Sequence, residues 1–80
     1  GGHVSGFIKE PSRIVKMRAL DKSFQSPITA ASELLDVCLI KEESDARIYS
    51  EAPENDHIYI GAAMAAMDMV KMSVNQFKKK

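Results

Sequence analysis

The sequence predicts a small two-layer α/β domain, about three short strands with two amphipathic helices. Two segments alternate apolar and polar residues with a period of two, as strands do. Two others repeat apolar residues at helical spacing, and polar turn residues separate the pieces. The chain has 80 residues, which sets the scale at one domain.

Residues 1–12 read as a flexible N-terminal segment, and Gly1, Gly2 and His3 are set aside from the fold argument. Arg13 to Leu20 then alternates, with Val15, Met17 and Ala19 on one side and Ile14, Lys16, Arg18 and Leu20 on the other, which predicts a strand. Pro11 disfavours an earlier helix running into it, and Asp21, Lys22 and Ser23 form a polar exit. Ser26 followed by Pro27 predicts a helix start, with the serine as cap and the proline at the first helical position. That helix is expected to run to about Lys41, with Ile28, Ala31, Leu34, Leu35, Cys38 and Leu39 inward and Thr29, Glu33 and Asp36 outward.

Residues 42–57 read as an acidic connecting loop in which Ala46 to Ser50 is a candidate short strand and Pro53 to Asp56 a turn. His57 to Gly61 alternates again and predicts a brief strand, with Gly61 and Ala62 allowing a close approach of strand and helix. The last helix is expected from Ala63 to Phe77. Its core stripe is Ala63, Ala66, Met67, Val70, Val74 and Phe77, while Ala65, Met69 and Met72 fall outside that stripe. Intramolecular packing needs only one stripe, so the surplus methionines predict an interface with something else. The terminal lysines 78–80 suit the end of a helix.

Formal charge totals zero, but it is distributed as +2 over residues 1–41, −5 over 42–57 and +3 over 58–80. Such a mosaic gives no long-range field for nucleic acid, though a local basic strip remains open. On a strand, Lys16 and Arg18 would lie on the same side, and Lys22 would follow in the next loop, a strip that can meet RNA or DNA phosphates. The competing reading is a set of solubilising charges on an exposed strand.

Catalysis has little support. His3 and His57 have no second His or Cys at metal-ligand spacing, no serine sits in a nucleophile elbow, and Gly61 alone is no phosphate loop. No catalytic residue, metal or other cofactor is therefore expected. The single cysteine, Cys38, lies between Val37 and Leu39 and reads as a buried thiol, which fits a reducing, intracellular and in the first instance cytoplasmic setting. No apolar run is long enough to predict a membrane span.

The path from RIVKMRAL through KSFQSPITAASELLDV to IYIGAAMAAMDMVKM resembles the Alba family of small nucleic-acid-binding proteins. That resemblance implies a dimer that touches DNA or RNA through basic residues near its first strand, here Lys16, Arg18 and Lys22. It departs from the family in its longer acidic connection, its lack of a C-terminal hairpin and its neutral charge. AASELLDV and IYIGAAMAAMDMV are also similar to the assembly helices of the ZapA cell-division family, without its long coiled-coil tail.

The functional expectation is a non-catalytic interaction protein, RNA- or DNA-associated or a ribonucleoprotein subunit, that self-associates through its Met-rich helix at Met69, Met72 and Phe77. The alternative is a protein-only assembly or adaptor module with no nucleic-acid contact. Its partners are accordingly a second copy, other subunits of a complex, or RNA or DNA, and not a membrane.

Overall fold

The computed structural model describes residues 4–75, with the side chains of the last helix as far as Met72. Four α-helices build it: α1 (Arg13–Ser23), α2 (Pro27–Cys38), the single turn α3 (Ala46–Tyr49) and α4 (Asp56–Asn75). Short 3₁₀ turns at Lys41–Glu43 and Pro53–Asn55 complete the path. The expected α/β class is overturned, because among the described residues there is no strand, only an isolated antiparallel bridge between Ile8 and Leu39.

Each expected strand is helical for an identifiable reason. Arg13 to Leu20 forms most of α1, since Ser12 caps it by accepting from the Val15 N–H at 3.3 Å, and Lys, Arg, Met, Ala and Leu all tolerate a helix well. Ala46 to Tyr49 is a helical turn because Asp45 accepts from the Arg47 N–H at 2.9 Å. His57 to Gly61 is the beginning of α4, entered from the 3₁₀ turn that opens at Pro53, with Glu54 and Asp56 supplying negative charge at the helix start. Gly61 therefore lies inside a helix, and a Cβ built there meets nothing within 4 Å, so it provides no close approach.

The second expected helix is present but stops at Cys38 instead of Lys41. Leu39 is extended (φ −64°, ψ 129°), and the N-terminal segment takes over the hydrogen bonding: Lys9 N–H donates to Cys38 O at 2.9 Å and Ile40 N–H donates to Phe7 O at 2.8 Å. Residues 5–9 thus form a strap across the end of α2. Ser44 extends the stitching by accepting from the Phe7 N–H at 3.0 Å, and Asp45 N–H donates to Ser5 O at 2.9 Å. Ser26 makes no side-chain cap; its carbonyl accepts from Ala30 N–H at 2.8 Å, and Pro27 fills the first helical position as expected.

The core is made where α2 lies between α1 and α4. Ala30, Ala31, Leu34, Leu35 and Cys38 of α2 meet Ala19 of α1, Ile48 of α3, and Ala63, Ala66, Met67 and Val70 of α4. Small alanines on the facing helices let their axes approach closely. Ile28, expected inward, is half exposed, and Ala30 takes the buried place.

Candidate protein-interaction surfaces

One side of α4 is consumed by the core and the opposite side is left apolar. Ala63, Ala66, Met67 and Val70 are buried as their spacing predicts, whereas Met64, Met69 and Met72 are exposed, Met69 at 57% and Met72 at 61%. Ile60 adds a branched apolar surface, Gly61 and Ala65 add small ones, and Asp68 and Lys71 are the charges among them. Phe77, the third expected interface residue, and the terminal lysines lie outside the described residues. Met69 also borders an apolar groove between α4 and the strap, whose walls include Ile8, Ile48, Ile58 and His57.

The expected basic strip is redistributed by the helical form of α1. At 100° per residue Lys16 and Arg18 stand about 200° apart, on opposite sides of the helix, whereas Arg18 and Lys22 are one turn apart and share a side. Lys16 pairs with Glu10, and the Lys22 ammonium sits 2.7 and 2.8 Å from the two carboxylate oxygens of Glu33. Arg18 makes no ion pair among the described residues.

Arg18 and Lys22 instead edge a second groove, between α1 and α2. Its floor is apolar, from Val15, Ala19, Ala30 and Leu34, with Val37 on the α2 lip. Glu33 and Asp36 stand along the α2 side. Reading Arg13 to Leu20 as a strand hides this groove, which depends on α1 and α2 forming a hairpin. The signal in the sequence is Ser12 as a helix cap, without the proline at the first helical position that marks the start at Ser26.

A polar cluster joins the back of α2 to α4. The Tyr59 hydroxyl donates to Asp36 Oδ1 at 2.9 Å, and the Ser32 hydroxyl supplies the proton for its contact with the same phenol oxygen. Burial pushes the Tyr59 phenol above its ordinary value, the Ser32 bond pulls it back, and the Asp36 hydrogen bond and charge push it up again. Every buried polar side-chain atom here has a partner, so the cluster reads as a tie between helices.

The other titratable groups have local explanations. Cys38 is fully buried and burial raises its thiol above the ordinary range, with Lys9 opposing, which leaves little thiolate. Two hydrogen-bonding contributions from Arg47, side chain first and backbone second, hold Asp45 down at about 2. Lys41 lies 5.5 Å from the centre of the Tyr49 ring, a cation–π distance. Among the described residues no three His, Cys, Asp or Glu side chains converge as metal ligands, and no helix is long and apolar enough to cross a membrane.

Comparison with known proteins finds no matching family model, no significantly similar curated protein and no significantly similar solved structure. The strand, helix, strand, helix order behind the Alba resemblance is absent from the described residues.

Proposed function

We propose that this chain is a non-catalytic protein-interaction module, an adaptor or subunit that docks a protein partner on the exposed face of α4 around Met64, Met69 and Met72. The observation that carries this reading is the exposure of those three methionines on a helix whose opposite side already fills the core. Methionine suits such a surface because its unbranched, polarisable side chain repacks against different partners. A domain this small also gains stability by covering apolar area in an assembly.

The nucleic-acid reading has less support, since two of its three basic residues are paired with carboxylates and Lys16 is turned away from Arg18. The test is affinity purification of the tagged chain, wild type against Met69→Glu/Met72→Glu and against Lys16→Ala/Arg18→Ala. The expected result is a stoichiometric protein partner that the first double variant loses, by about a hundredfold in affinity, and the second keeps. Met69, Met72 and Arg18 are exposed and Lys16 is half-buried beside Glu10, so circular dichroism should show helix content unchanged by the first double variant and little altered by the second. A nuclease-sensitive, salt-dependent association lost only on changing Lys16 and Arg18 would replace this proposal with the phosphate-binding one.

A further inference from the structure

We infer that the α1–α2 face is a two-fold interface, so that the chain forms a weak homodimer through a surface separate from the α4 face. The groove along that face has an apolar floor, and Val37 on its lip is 52% exposed. Its two sides differ in sign, with Arg18 and Lys22 on α1 and Glu33 and Asp36 on α2. A ligand that fits must therefore be apolar in the middle, acidic along one edge and basic along the other.

A second copy has that pattern by construction. The Lys22–Glu33 ion pair marks the antiparallel register in which α1 and α2 pack. One turn back from Lys22 is Arg18 and one turn on from Glu33 is Val37, so Arg18 is level with Asp36 and Val37. A two-fold axis lying in the interface and running along the hairpin keeps these levels and exchanges the sides. It lays α1 of one copy antiparallel over α2 of the other, which is the arrangement of an antiparallel four-helix bundle.

Each Arg18 then faces Asp36 of the other copy, and each Val37 is covered. Arg18 has no carboxylate of its own among the described residues, and Asp36 accepts a hydrogen bond on Oδ1 from Tyr59, leaving Oδ2 to meet a guanidinium. Two helices of 11 and 12 residues, each about 17 Å long, present a face of only a few hundred Å². The dimer is accordingly weak and reversible.

The deciding experiment is sedimentation velocity of the full chain over a concentration series from about 1 to 500 µM. The wild type is expected to pass from monomer to dimer. Arg18→Glu alone and Asp36→Arg alone each place like charges together twice, raising the dissociation constant about a hundredfold, and the double variant Arg18→Glu/Asp36→Arg restores the dimer. Because Asp36→Arg also removes an acceptor from Tyr59, Val37→Glu serves as an independent disruption at an exposed site. Met69→Glu/Met72→Glu leaves the dimer intact, which separates this inference from the partner surface on α4. A wild type that stays monomeric throughout, single reversals without effect, a double variant that fails to recover, or a dimer broken only by the Met69 and Met72 changes would each overturn it.

Discussion

Gly6 and Gly61 show how the surroundings of a residue decide what the same substitution does. A Cβ on Gly6 would stand 2.6 Å from Cδ1 of Ile48, a buried side chain that would have to shift. Gly61 has open space and sits in the interior of α4, where glycine loosens the helix without any packing reason. Gly61→Ala is therefore expected to stabilise the fold by about 1 kcal/mol. Gly6→Ala should destabilise it by about 1–2 kcal/mol. Chemical denaturation of the two variants beside the wild type checks both signs, and equal shifts in either direction would contradict the packing described for Ile48.

At the scale of elements, α2 and the core side of α4 are legible because their apolar residues fall in one stripe at helical spacing, from Leu34 and Leu35 in one and Ala63 to Val70 in the other. The exposed methionines are legible for the same reason, as a remainder beyond what one stripe needs. α1 is not, because Ile14, Val15, Met17, Ala19 and Leu20 are spread around the whole helix and also satisfy a period of two. Its state is decided by packing on α2 and by its cap. Ser12→Ala should accordingly cost about 1 kcal/mol and lower the melting temperature by about 4–8 °C. Ser26→Ala, which loses no side-chain cap bond, should shift it by much less. Thermal melts followed at 222 nm compare the two, and an equal loss at both sites would remove the asymmetry. Ser12 as a helix start is legible for α1, but the charge arrangement of the α1–α2 groove is not, since it depends on the register in which the two helices pack.

Across the whole molecule, the neutral total conceals two differently made surfaces. The α4 face is methionine-rich and sparsely charged, suited to adapting to a partner, while the α1–α2 face is patterned in sign, suited to recognising its own copy. A dimer through the second would present two copies of the first. A partner carrying two docking segments would then be held far more tightly than one segment alone, provided its linker spans the distance.

The strap over the end of α2 also makes the chain its own stopwatch. Ser5, Phe7 and Lys9 are held to the rest by a handful of backbone bonds at the surface, and Ile8 lies against the cluster that contains Cys38. Peeling that strap away is a smaller excursion than unfolding the helices, yet it uncovers the neighbourhood of the only thiol. Alkylation of Cys38 should therefore proceed in native buffer at a rate set by this partial opening, with an apparent free energy below that from global denaturation. Gly6→Ala, by crowding Ile48, should quicken it. If the two free energies coincide, the strap and the helices come apart together, and the N-terminal residues belong to the cooperative unit itself.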